Sequence, residues 1–188
     1  MDYPYQVEVL HLFVSPAHAY FGRARDGAAA VPSEDAHAIE VVAGKGIVGD
    51  RFFGKAAHVD AALTVLAVEG LEAMAAELGV APFDPLLTRR NVVLSGAELP
   101  PLVGSSFSLC QGDTTVRLHA GRQAHPCVWM DRVLAPGAHA AMRGRGGLRC
   151  RPVTGGTLRR GPAVLLSPVE LDASAAGAAR VLRPWRLP

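Results

Sequence analysis

One stretch of this chain, and no other, carries a helical apolar repeat. Leu71, Met74, Ala75 and Leu78 fall on one face between about Glu69 and Leu78, and Gly79 follows as a stop signal. Elsewhere the apolar residues come in strand-length runs punctuated by Gly, Pro and Ser. Val7 to Val14 opens the series and is stopped by Ser15-Pro16, and Ala38 to Val42, Ala62 to Val68 and Asn91 to Leu94 follow. Phe107 to Cys110 and Thr114 to His119 flank a Gly112-Asp113 turn, and Leu148 to Val153 and Pro162 to Leu166 close the pattern around a turn at Thr154-Gly155-Gly156. Short helices are expected over Cys127 to Val133, behind Pro126, and over Ala138 to Arg143, while residues 17–37 read as a mobile connection. Many short strands with few helices predict an α+β, β-rich fold with a barrel-like, mostly antiparallel sheet, and argue against a doubly wound one. A single domain is expected over residues 1–170, followed by a tail, 171–188, to which no element is assigned.

Composition narrows the chemistry. With 49% hydrophobic and 19% charged residues the chain can bury a full core and is unlike a disordered one. No apolar run reaches the roughly 18 residues of a membrane span, and Met1-Asp2-Tyr3-Pro4-Tyr5 lacks the basic start of a signal peptide. A soluble, cytoplasmic protein with no membrane partner is expected. A net charge of +2 gives no reason to expect nucleic acid. Lys45 and Lys55 are the two lysines in the chain, so a Schiff-base lysine would have to be one of them, and pyridoxal phosphate is not expected.

The three cysteines, Cys110, Cys127 and Cys150, are widely spaced, form no CxxC pair and read as free thiols. Cys110 lies in the alternating run Phe107-Ser108-Leu109-Cys110, where burial is expected, and Cys150 lies between Arg149 and Arg151 in a strand. Cys127 differs, because it follows His125-Pro126 in a loop and lies downstream of two Arg-bearing turns, Gly49-Asp50-Arg51 and Arg89-Arg90-Asn91. Guanidinium groups favour thiolate over thiol and fork onto phosphate or carboxylate oxygens, so the set predicts sulfur chemistry beside an anion-binding cleft.

Each motif also has a plainer reading. Gly44-Lys45-Gly46-Ile47-Val48-Gly49 satisfies GxGxxG literally. The run Asp50-Arg51-Phe52-Phe53-Gly54 that follows has no helical apolar pattern, and the dinucleotide fingerprint needs a helix opening there. These glycines are better explained by turns at positive φ that let the backbone approach a ligand or another strand. Asp50-Arg51 can be a capped turn with a surface ion pair, or Arg51 can point at an anion with Asp50 orienting it. On an extended segment neighbouring side chains face opposite ways, so one of Arg89 and Arg90 is expected in the cleft, and Asn91 shares a face with Arg89. His58 and His119 read first as satisfied polar residues; their closeness to the Arg turns and to Cys127 makes them cleft candidates.

In order and spacing these pieces resemble the MOSC domain family, named for the C-terminal domain of molybdenum cofactor sulfurases. The resemblance is carried by Gly46-Ile47-Val48-Gly49-Asp50-Arg51, Leu63 to Leu78, Arg89-Arg90-Asn91-Val92-Val93, Leu99 to Gly104, Phe107-Ser108-Leu109, His125-Pro126-Cys127 and Val153-Thr154-Gly155-Gly156 with Gly161, over about residues 40–166. It implies a MOSC-type, barrel-like fold with a cleft for molybdenum cofactor, a molybdopterin bearing a phosphate and a dithiolene-bound metal. It implies that Cys127 is the residue that carries sulfur as a persulfide or ligates molybdenum. It also implies that Asp50, Arg51, Arg89, Arg90 and Asn91 are polar cleft residues, Arg51 and one of Arg89 or Arg90 holding the pterin phosphate. Soft thiolate and arginine suit a thiophilic metal and a phosphate. Full sulfurases carry a pyridoxal phosphate desulfurase domain for which this chain has no room, so a separate cysteine desulfurase or a redox partner is implied.

Four functions are therefore compared: sulfur transfer or molybdenum ligation through Cys127; a molybdenum-dependent reductase of N-hydroxylated compounds; a molybdenum-free cysteine hydrolase or transferase with His58 or His119 as base; and a non-catalytic cofactor carrier. The first leads, and all four take a small molecule.

Overall fold

The computed structural model describes residues 2–182. Eleven strands and three short helices follow one another: β1 (Tyr3–Val14), β2 (Glu34–Asp35), β3 (Ala38–Val42), β4 (Gly46–Ile47), β5 (Leu63–Ala67), α1 (Val68–Leu78), β6 (Val92–Ser95), β7 (Ser106–Gln111), β8 (Thr114–Gln123), α2 (Trp129–Val133), α3 (Ala138–Ala141), β9 (Leu148–Pro152), β10 (Gly156–Arg159) and β11 (Gly161–Ser167). Seven strands close a barrel in the order β1-β11-β7-β8-β9-β5-β6 and back to β1, with β2 added outside on β1. Every neighbouring pair is antiparallel except β5 and β6, which run parallel because α1 provides the crossover between them. β10, β3 and β4 form a second, small sheet.

The barrel interior is set by alternation. Leu63, Val65 and Ala67 of β5, Val92 and Leu94 of β6, and Phe107 and Leu109 of β7 point inward into one apolar core. On β5 and β6 the opposite face is also covered, since Leu66 and Val93 pack outward beneath Leu71 and Met74 of α1, Trp129 and Met130 of α2, and Ala138 of α3. Burial on both faces explains why Ala62 to Val68 reads as an apolar run with Thr64 as its single polar residue. Gly79 ends α1 in the left-handed conformation, its N–H bonding the carbonyls of Ala75 and Ala76.

Most strand expectations hold to within a few residues. The chain does bend at Thr154, but the sequence did not reveal β10, which follows from Gly156, nor the two-residue pairings β2 and β4. Cys110 lies on the outward face of β7 and is half-buried instead of buried, because Leu109 takes the inward position; Cys150 is fully buried. From the C-terminal tail, Leu171 and Ala176 are buried, Gln123 bonds Arg180 and Leu182, and Arg180 pairs with Glu98 at 2.9 Å. The rest of that tail, residues 183–188, lies outside the described residues. None of the described helices is long and apolar enough to cross a membrane.

Candidate functional site

A cleft of about 210 Å³ opens on the outside of the barrel, where the helical layer stops covering β5. Thr64 forms its floor, two residues before Leu66 passes beneath the helices. The walls come from chain segments far apart in sequence: His18 and Tyr20 after β1, Arg51 and Phe52 after β4, His58, Thr88 to Arg90 before β6, His125 to Cys127 after β8, and Arg149 on β9.

The Gly46 to Arg51 turn is built by close approach. Gly46 has φ 105°, and a Cβ there would lie 2.7 Å from the carbonyl oxygen of Ala62. The chain then folds back so that the N–H of Arg51 reaches Ser15 O at 2.8 Å. Asp50 and Arg51 are not a surface ion pair. The Asp50 carboxylate is wholly buried, accepts from Arg51 Nη1 at 3.2 Å and from Asn91 Nδ2 at 3.2 Å, and caps Phe52 N at 3.1 Å. Asn91 is itself fully used, donating to Phe13 O and exchanging bonds with Thr64 through both backbone and side chain. Asp50 and Asn91 therefore lie behind the wall and hold Arg51, which faces the cleft.

Both Arg89 and Arg90 line the cleft, against the expectation that one would. The reason is local. The 3₁₀ turn Pro85–Thr88 ends with Arg89 at φ 55°, a left-handed conformation, so the strand alternation assumed for this pair begins only at Val92. Arg89 Nη2 donates to Ser15 Oγ at 2.9 Å and to Ala17 O at 2.6 Å, and its guanidinium lies over the rings of Phe13 and Tyr20. Arg90 donates to Gly146 O and Ala124 O, tying down the loop that carries Cys127. Gly146 is required there, because any Cβ would run into Ala124 O.

Cys127 is exposed, lies in the cleft wall, and its carbonyl accepts from Met130 N at the start of α2. Arg51, Arg89, Arg90 and Arg149 share the cleft with it, and among the described residues no carboxylate lines it. Burial lowers the pKa of all four guanidiniums; the charge of Arg51 adds to this at Arg89, Arg122 at Arg149, and Arg149 at Arg90, which falls to about 10. Four cations held near one another, partly out of water, favour an anionic ligand. Burial also lowers the pKa of His18, and Arg51, Arg89 and His58 push the same way. His58 lines the cleft and lies against Phe52, whereas His119 lines an adjoining hollow with its Nδ1 3.3 Å from Ser106 Oγ. Among the described residues no three His, Cys, Asp or Glu side chains converge as a metal cage.

The sequence reading missed His18, Tyr20, Phe52 and Arg149. The first two lie in the segment read as a mobile connection, and Ser15 Oγ, bonded to Ala17 O and Pro32 O, pins its start. Tyr20 stacks on Trp129 with centroids 5.3 Å apart, joining that segment to α2. Two aromatics and a histidine in Ala17-His18-Ala19-Tyr20-Phe21 were the available signal.

A model of the MOSC domain family matches residues 45–165. No curated protein matches the chain. Among solved structures it is similar to the YuaD protein from Bacillus subtilis, with 19% identity and a TM-score of 0.69 over 88% of this chain and 98% of that one. It is also similar to YiiM from Geobacillus stearothermophilus, with 17% identity and a TM-score of 0.58 over 87% of this chain and 75% of that one. At such identities the likeness is one of fold.

Proposed function

The chain belongs to the MOSC domain family, and from that premise we propose that its cleft binds molybdenum cofactor and that Cys127 is the reactive group, carrying sulfur or ligating molybdenum. The observation that carries this reading is an exposed thiol sharing one cleft with four guanidiniums and no lining carboxylate among the described residues. That donor set fits the group: thiolate suits a thiophilic metal or sulfane sulfur, and arginines suit a phosphate. When bound, the cofactor would supply redox or sulfur-accepting chemistry at its metal.

The chain's own residues divide the work. Arg51 is braced by Asp50, and Arg89 is held by Ser15 and Ala17, so both can present guanidinium edges without reorganising. Arg90 sits closest in function to Cys127, because its bonds to Gly146 and Ala124 fix the approach to that loop. His18 and His58 flank Phe52 at the side of the cleft. In the carrying role, a cysteine desulfurase is the sulfur donor we propose.

The test is cofactor retention. Reduced wild-type protein, incubated with molybdenum cofactor and freed of excess, should keep both molybdenum and pterin. Cys127→Ser that keeps pterin but loses molybdenum makes Cys127 a metal ligand. A variant that keeps both but no longer gains protein-bound sulfane sulfur when supplied with a cysteine desulfurase and free cysteine makes Cys127 a carrier. Retention of neither component by the wild type overturns the reading.

A further inference from the structure

Beside the cleft, and sharing His58 and Ala61 with it, lies a second hollow of about 460 Å³ between the turn Ala56–Ala61 and the outer face of β8 and β9. Its sheet wall is unusual. In the β8–β9 register His119 stands opposite Arg151 and Arg122 opposite Arg149. A register shift at Gly121, between Ala120 and Arg122, turns Arg122 outward while Ala120 stays in the barrel core. Two successive rungs thus set basic groups directly across from basic groups on one face.

Like charges directly opposite each other, as at Arg122 and Arg149, destabilise a strand pair, so packing gives no reason to keep this rung. Asp60, paired with Arg151 at 3.6 Å where both are well exposed, is the one carboxylate in the hollow among the described residues. The ladder is also continuous with the cleft, since Arg149 lines the cleft and its rung partner Arg122 lines the hollow.

We infer that Arg122, Arg151 and His119 form a second anion subsite, which takes a phosphate group on a ligand whose other end reaches the Cys127 cleft. Arginines offer paired N–H donors that match phosphate oxygens, and a bound phosphate would turn the cross-strand repulsion into attraction. With Arg51 and Arg89 serving the pterin phosphate, the phosphate here is a second one, carried by an extended form of the cofactor or by a phosphorylated substrate. The inference rests on the cleft being the binding site, but its test does not involve Cys127.

Inorganic pyrophosphate is titrated into the protein and followed by amide chemical shifts, in wild type, R122Q/R151Q and R51Q. We expect wild-type shifts at Gly121, Arg122 and Arg151 as well as around Arg89 to Asn91. R122Q/R151Q should weaken the first set about tenfold, the scale of one charge-assisted contact, and spare the second; R51Q should do the converse. Because the double variant relieves repulsion, its melting temperature should not fall, whereas a purely structural ladder would lose stability. Hollow shifts that are absent in the wild type, or unchanged in R122Q/R151Q, overturn the subsite. Pterin retention by R122Q/R151Q then identifies the source: a fall assigns the phosphate to the cofactor, and full retention assigns it to a substrate.

Discussion

Asp50 and Asn91 share no surface with the cleft, yet they decide where Arg51 points. Removing one partner of a buried charge pair strands the other, which costs roughly 3–5 kcal/mol. Asp50→Asn should therefore lower unfolding stability by about that much and weaken pterin retention at the same time, because Arg51 loses its brace. Arg51→Gln should behave differently, since it removes the group that faces ligand while Asp50 keeps its bonds from Asn91 and Phe52. Its stability loss should be the smaller of the two and its retention loss at least as large. Urea denaturation beside pterin retention on both variants checks the split. Equal stability losses would mean that Arg51 is structural.

At the scale of elements, the turn at Gly46 links β-sheet packing to the site. Alanine there meets the Ala62 carbonyl and must also adopt φ 105°, so Gly46→Ala should cost roughly 2 kcal/mol or more and displace the Arg51 turn. The expected result is a lower melting temperature together with weaker pterin retention; Gly44→Ala, also at positive φ but with open space around its Cβ, should lose less of both. This turn was legible in the sequence because glycines at those spacings imply backbone approach, and α1 was legible from its repeat. The arrangement of Arg89 and Arg90 was not, because a left-handed arginine after a 3₁₀ turn leaves no pattern in residue types. The β8–β9 ladder was hidden for another reason: Arg122 and Arg149 become neighbours through register, and a one-residue shift at Gly121 sets that register. His18 and Tyr20 escaped because Ala, Gly and Pro around them suggest looseness, whereas Ser15 and Arg89 hold the segment at Ala17 and Trp129 stacks on Tyr20.

For the whole molecule, the decisive step is closure, because β1 from one end of the chain pairs with β11 from the other, Tyr3 opposite Ser167 through Val9 opposite Gly161. Near this seam Asp35 accepts from His11 on β1, from Leu12 N and from Arg160 in the link between β10 and β11, so one carboxylate joins the barrel to the small sheet. Burial alone would raise the Asp35 pKa, but the bonds from His11, Arg160 and Leu12 outweigh it, and the folded value lies below the ordinary 3.8. A depressed folded pKa means that the ionised carboxylate stabilises the fold above the unfolded value, and that this contribution fades as pH falls through the folded one. Asp35→Asn should accordingly unfold at lower urea than wild type at pH 7, with the gap narrowing steadily as pH drops below 3.8 because the wild type then loses the same charge. Urea midpoints of both proteins between pH 7 and pH 2 measure it. A gap that stays constant across that range would show that Asp35 secures the seam by shape and hydrogen bonding alone, with its charge contributing nothing to closure.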